Sequence, residues 1–248
     1  MQSVQQLWLP PPAVLVLPPV QIHVWKVELD KISAICWQQL AKTLSEDEQI
    51  RAEKFYFERD RRRFVAARGV LRSILGSYLG IRPNQVKFSY GSYGKPQLAT
   101  GEIYFNLSHS EELALYAIAL HRQVGIDVEF QRPISDAEKL AQRFFSASEF
   151  AELSALPAEE RQVAFFRYWT CKEAYLKALG TGLSQSLQTT NISLLADKPV
   201  LLRTSSAITD SDWFLEELTP AFNYAAALVV EGSQCLIGYW HWSENFNL

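Results

Sequence analysis

Cysteine is scarce and badly placed for cross-links. Cys36, Cys171 and Cys235 are odd in number, far apart and never in a C-x-x-C pair. That excludes a disulfide framework and a zinc ribbon, and it suits a reducing compartment. Long apolar runs are missing too, none approaching the roughly 18–20 residues of a membrane helix. The short apolar stretch Ala13–Leu17 has no preceding Lys or Arg and no A-x-A-like cleavage site, and five prolines fall between Leu9 and Val20. A signal peptide is therefore not expected. Neither sign of charge dominates: 24 basic residues face 27 acidic ones, a formal net of −3. This argues against a general nucleic-acid coat or a membrane-surface protein. Walker A, the dinucleotide fingerprint and the G-x-S-x-G elbow are all absent. The expectation is a cytoplasmic monomer with neither nucleic acid nor membrane as partner.

What is present is an ordinary globular composition, 248 residues of which 48% are apolar and 21% charged. A chain of this length forms one large domain or two small ones and buries about 70–75% of its unfolded surface. Residues 1–20 read as an irregular, Pro-rich arm, and the alternation I-H-V-W-K-V-E-L from Ile22 to Leu29 as a strand. Helical patterns follow at 31–43 and 46–79, the second opening on the capping-box pair Ser45 and Glu48, breaking near Phe57–Asp60 and ending before Gly80. Gly91, Gly94 and Pro96 punctuate a loop. Leu113–Leu120 and Val124–Phe130 read as strands joined by His121-Arg122-Gln123. Helices are expected at 135–144, 146–155 and 158–179, and strands near 191–195, 199–203, 213–218, 224–230 and 235–241. The order does not alternate as βαβα, so the fold class is α+β. Phe105-Asn106 and Phe222-Asn223 each precede an apolar run, a weak echo that two related halves meeting near residue 122 would produce.

Four segments carry chemistry. In V-G-I-D-V-E-F (124–130), strand alternation puts Asp127 and Glu129 on one face about 6.6 Å apart, close enough to converge on one small cation. A half-buried strand with a wet polar face is the plainer reading. In F-R-Y-W-T-C-K-E-A-Y-L-K-A-L-G-T-G-L (166–183), a helix aligns Trp169, Glu173 and Lys177, with Gly180 and Gly182 ending it. Glu173 and Lys177 also stand in the favourable i,i+4 order of a surface ion pair. Between Arg51 and Arg72 eight basic residues (Arg51, Lys54, Arg59, Arg61, Arg62, Arg63, Arg68, Arg72) face three acids. Guanidinium groups fit phosphate oxygens in pairs, although a solvated helix face explains any one of them. Finally Y-G-K-P (93–96) and N-L-S-H-S (106–110) read as loops that expose a lysine, a hydroxyl and an imidazole.

Taken in this order, Y-G-K-P, N-L-S-H-S, G-I-D-V-E, R-F-F-S (143–146) and W-T-C-K-E-A-Y-L-K-A-L-G-T-G-L resemble the Sfp-type 4′-phosphopantetheinyl transferases. The resemblance runs from about Glu46 to Leu183 and is thin over the first 45 and last 60 residues. It implies two similar α+β halves about a pseudo-twofold axis, 1–121 with the arm 1–20 and 122–248, with coenzyme A in the cleft between them. The implied reaction moves the phosphopantetheine arm of coenzyme A onto a serine of an apo acyl or peptidyl carrier protein and releases 3′,5′-ADP. Asp127, Glu129 and Glu173 match the family's Mg²⁺ ligands, with Mn²⁺ equally suited to hard oxygen donors. Lys177 and Lys172 match its lysines near the pyrophosphate, and Glu173 is the candidate base. Lys95, Ser108 and His109 match positions around the adenine ribose, the 3′-phosphate and the pyrophosphate. Arg63 fits the 3′-phosphate arginine, and Arg51 or Lys54 more distal phosphate contacts. Two rivals remain. A metal-dependent nuclease needs an acid two positions before a lysine, which this sequence lacks. A non-catalytic coenzyme A or carrier-binding module would not need the metal acids or Lys177, all of which are present.

Overall fold

The computed structural model describes residues 6–99, 101–181, 187–194, 200–202 and 212–246. In chain order the strands are β1 (Gln21–Glu28), β2 (Phe88–Tyr90), β3 (Pro96–Leu98), β4 (Ile103–Ser110), β5 (Leu113–Leu120) and β6 (Val124–Phe130). They continue with β7 (Asn191–Ser193), β8 (Val200–Leu202), β9 (Trp213–Leu218), β10 (Tyr224–Glu231) and β11 (Leu236–His241). The helices are α1 (Ala34–Ala41), α2 (Glu46–Glu53), α3 (Glu58–Leu79), α4 (Ala137–Phe144), α5 (Ala147–Ala155) and α6 (Ala158–Leu179). The expected elements are present, with three differences. The helix expected over 31–43 starts only at Ala34, after a 3₁₀ turn at Leu29–Lys31. The Gly91–Pro96 loop is the tip of a short hairpin, β2–β3. N-L-S-H-S is the second half of strand β4, not a loop. Gly182 and parts of the strands expected at 191–195 and 199–203 lie outside the described residues.

One topology occurs twice. Strands β1, β5 and β4 pair in that order, all antiparallel, with α3 between β1 and β4 in the chain. Strands β6, β10 and β9 pair in the same order, again antiparallel, with α6 in the place of α3. Both long helices have 22 residues and end at a glycine in the left-handed region, Gly80 (φ 65°) and Gly180 (φ 70°). The short helix before each also repeats. Glu48, three residues past the cap Ser45, accepts from the Ser45 backbone N–H (3.1 Å) and, buried, from Arg68 Nε (2.9 Å) and Arg72 Nε (2.6 Å) of α3. Glu149, three past Ser146, accepts from the Ser146 N–H (2.7 Å) and, buried, from Lys172 of α6. The letters that hinted at two halves are not equivalent, however. Phe105-Asn106 lies within β4, whereas Phe222-Asn223 sits in the turn before β10.

The two sheets lie face to face between helical layers. Ile22, Val24, Leu113, Leu115 and Ala117 of the first meet Ile126, Val128, Ala226, Leu228 and Val230 of the second in a dry layer. The outer face of the first sheet packs on α1 and α3 through Trp25, Leu71, Ile74 and Tyr116. The outer face of the second packs on α4–α6 through Phe145, Phe165, Ala174 and Ala227. β11 leaves the second half and pairs parallel with β1. The arm runs along it, bridging Leu9 to Trp240. Among the described residues no helix is long and apolar enough to cross a membrane.

Candidate active site

The site forms where β4, the edge of one sheet, faces β6, the edge of the other. Period-two alternation sends Ile126, Val128 and Phe130 into the layer between the sheets and leaves Gly125, Asp127 and Glu129 toward α6. The helix lies very close there. A Cβ on Gly125 would stand 2.0 Å from the Ala174 carbonyl oxygen and 2.4 Å from the Ala178 nitrogen, so only glycine fits. This approach carries Glu173 and Lys177 down onto Asp127.

Asp127, 3% exposed, is the hub. Its Oδ1 accepts from Lys177 Nζ (2.6 Å) and Ser108 Oγ (2.8 Å), and Lys177 also donates to Ser108 Oγ (2.9 Å). Lys177 thus pairs with Asp127 and reaches across the seam to Ser108, and the surface pair with Glu173 is not formed. Asp127 Oδ2 and Glu173 Oε1 are both buried and have no hydrogen-bond partner among the described residues. Glu129 Oε2 accepts from Ser110 Oγ at 2.9 Å. Burial first, then repulsion by Asp127, pushes the Glu173 carboxyl above its ordinary range, with Lys177 acting the other way. Glu129 is raised by the same two causes, opposed by the Ser110 hydrogen bond, Lys177 and Arg132. Three acids therefore crowd one lysine. Among the described residues no three His, Cys, Asp or Glu side chains close into a complete metal cage. A cation here would draw on two orphaned carboxylate oxygens and leave positions open for ligand oxygens and water, the habit of Mg²⁺. The donor set fits such an ion.

Beside Glu129 opens a cavity of about 250 Å³, whose lining includes the polar Ser110, Glu111 and Arg132 and the aromatic Phe130, Phe166 and Trp169. Trp169 thus lines the cavity and packs on Phe144 and Phe165. His109 lies on the opposite face of β4 from Ser108. Its imidazole is held below its ordinary value by desolvation and by three cations, Lys177, Arg51 and Arg63.

Other expected residues are placed differently. Lys172 does not reach the cluster: it is fully buried on the far side of α6, with Nζ on Glu149 Oε1 (2.8 Å) and Oε2 (2.6 Å) and on the Thr190 carbonyl. It stands eight residues before Gly180 as Arg72 stands eight before Gly80, and it plays the same structural part. The basic segment is largely neutralised within the fold. Arg68 and Arg72 belong to Glu48, Arg59 pairs with Asp60, and Arg61 with Glu58. Arg63 is clamped by Asp30 (2.7 and 2.9 Å) and Glu111 (2.9 Å), which uses three of its five N–H donors and leaves two. Arg51 lies over the Phe64 ring, and Lys54 is exposed at the end of α2. Lys95 donates to the carbonyls of Val124 (3.1 Å) and Ala178 (3.0 Å), tying the β2–β3 hairpin to β6 and the last turn of α6. The period-two pattern N-x-S-x-S signals two further residues missed in the sequence, Asn106 and Ser110, which also reach β6.

Burial lowers Lys95 to about 8 from 10.5. Between those two values the unfolded chain holds a proton that the folded chain has lost, so this group makes stability rise with pH across that window. Denaturant unfolding at pH 8 and pH 10 should show a change in stability between the two that is less favourable in Lys95→Met than in the wild type.

Two family models match, "4'-phosphopantetheinyl transferase, N-terminal" over residues 31–121 and "4'-phosphopantetheinyl transferase superfamily" over residues 123–229. The chain is 49% identical over 242 residues to the 4′-phosphopantetheinyl transferase HetI of Nostoc sp. PCC 7120, covering 96% of this chain and 99% of that one. It is 30% identical over 158 residues to the 4′-phosphopantetheinyl transferase Sfp of Bacillus subtilis, covering 63% and 69%. A holo-(acyl-carrier-protein) synthase structure from Bacillus anthracis, in complex with CoA, overlaps 45% of this chain and 96% of its own at 25% identity and a TM-score of 0.39, a partial likeness. With 49% identity across nearly the whole of one such transferase, and both family models falling on the elements that build the seam, the chain belongs to the 4′-phosphopantetheinyl transferase family and is an enzyme of that kind.

Proposed function

We propose that the chain transfers the 4′-phosphopantetheine arm of coenzyme A to a serine hydroxyl of an apo acyl or peptidyl carrier protein, with Mg²⁺ bound, and releases 3′,5′-ADP. The observation that carries this reading is the pair of buried, unpartnered carboxylate oxygens, Asp127 Oδ2 and Glu173 Oε1, beside Lys177. Buried acceptors left empty are costly unless something fills them. Asp127, Glu129 and Glu173 would hold the ion, which when bound neutralises charge on the pyrophosphate. Lys177 faces the same region and places a cation where charge develops on the leaving phosphate. Glu173, beside Lys177 and the ion, takes the serine proton as the new O–P bond forms and the bond to the leaving 3′,5′-ADP breaks. No covalent enzyme intermediate is needed. We place the boundary between the halves at residue 122, with residues 1–121 and 122–248 flanking the cleft and β11 returning to the first sheet. The test is intact mass of a panel of apo carrier proteins incubated with enzyme, coenzyme A and Mg²⁺. A gain of one phosphopantetheine supports the reading, and an unmodified panel contradicts it.

His109, Arg63 and Arg51 supply the positive region assigned to the 3′-phosphate. Arg63→Ala and His109→Ala are each expected to weaken coenzyme A roughly tenfold or more, the worth of a hydrogen bond to a charged group. Dephospho-coenzyme A should lose much less. Calorimetric titration of both ligands checks this, and equal losses would remove the assignment.

A further inference from the structure

Asn106, Ser108 and Ser110 occupy alternate positions on one face of β4, and each reaches across to β6. Asn106 Oδ1 accepts from the Ile126 N–H at 2.8 Å. Ser108 Oγ donates to Asp127 Oδ1 at 2.8 Å. Ser110 Oγ accepts from the Phe130 N–H at 3.0 Å and donates to Glu129 Oε2 at 2.9 Å. The two edge strands are thus joined by a ladder of side chains in place of backbone pairing. Its rungs fall on the strand that carries both acids.

At Ser110 the geometry is directional. A hydroxyl has one proton, and the Phe130 N–H already points at its oxygen, so the proton is free to serve Glu129. Glu129 needs such a hold. Asp127 repels it from two residues away, and Arg132, lining the same cavity, attracts it. An untethered carboxylate would turn away from Asp127 and toward the guanidinium.

We propose that Ser110 is a positioning residue that holds Glu129 beside Asp127 in the geometry a divalent cation requires. This rests on the Mg²⁺ reading above. The test compares wild type, Ser110→Ala and Ser110→Thr by calorimetric Mg²⁺ titration in the presence of coenzyme A, alongside thermal unfolding without either ligand. Ser110→Ala should bind Mg²⁺ roughly tenfold more weakly. Its coenzyme A affinity and melting temperature should stay close to wild type, and Ser110→Thr, which keeps the hydroxyl, should recover most of the metal affinity. Wild-type Mg²⁺ affinity in Ser110→Ala would overturn the proposal alone, as would a loss that threonine does not restore. A wild-type protein that binds no Mg²⁺ would overturn the metal reading and this proposal with it.

Discussion

Asp127→Ala is expected to lower the transfer rate by at least about a hundredfold to a thousandfold, the scale seen when one preorganised electrostatic contact is lost from an active site. The same substitution should leave the melting temperature unchanged or raise it. Asp127 is buried with one oxygen unpartnered, and it pushes both Glu129 and Glu173 upward. A group that destabilises its surroundings in the resting protein is kept for what it does when the site is filled. Removing it relieves the repulsion, while Lys177 is exposed enough to find water. Single-turnover transfer measured beside calorimetric unfolding separates the two effects. A variant that transfers at the wild-type rate, or one that simply unfolds, would count against a functional Asp127.

The two lysines of α6 should differ in what they do to turnover. Lys172→Met leaves Glu149 as an uncompensated charge inside the second half, a defect of about 3–5 kcal/mol. In a domain of this size that is a fall in melting temperature on the order of 10 °C. Coenzyme A affinity and the rate of the remaining folded enzyme should change little. Lys177→Ala also unpairs a buried carboxylate, Asp127, so it too should lower the melting temperature, but the folded enzyme should lose transfer rate by about a hundredfold, with coenzyme A affinity reduced less than the rate. Should Lys172→Met keep its stability and lose turnover, the buried pair with Glu149 would not be its main role.

The contrast between these lysines shows where sequence reasoning reached and where it stopped. Helix boundaries were legible because their signals are local: Ser45 with Glu48, Ser146 with Glu149, and the terminal glycines 80 and 180. The acids of β6 were legible because alternation alone separates Asp127 and Glu129 from Ile126 and Val128. Lys172 and Lys177 are five residues apart, about 140° around a helix, so one stripe cannot hold both. Which one meets the cleft depends on how α6 rolls over Gly125, a close approach visible only once strand and helix are assembled. The N-L-S-H-S half of strand β4 was read as a loop because most of its residues are polar, although its alternation is a strand signal. That polar face does not meet water; it meets the edge of another strand. The arginines of α3 misled for a similar reason, since Glu48 lies in a different helix and its claim on Arg68 and Arg72 is tertiary.

The central claim is that the carboxylates at the seam perform the chemistry and do not merely hold the fold or the ligand. Glu173→Gln tests it most directly, because the amide preserves shape and can still offer an oxygen, yet it cannot take a proton from serine. Single-turnover transfer to an apo carrier protein, measured beside calorimetric coenzyme A binding in the presence of Mg²⁺, should show binding retained and transfer lost. Transfer by Glu173→Gln at the wild-type rate would contradict the account.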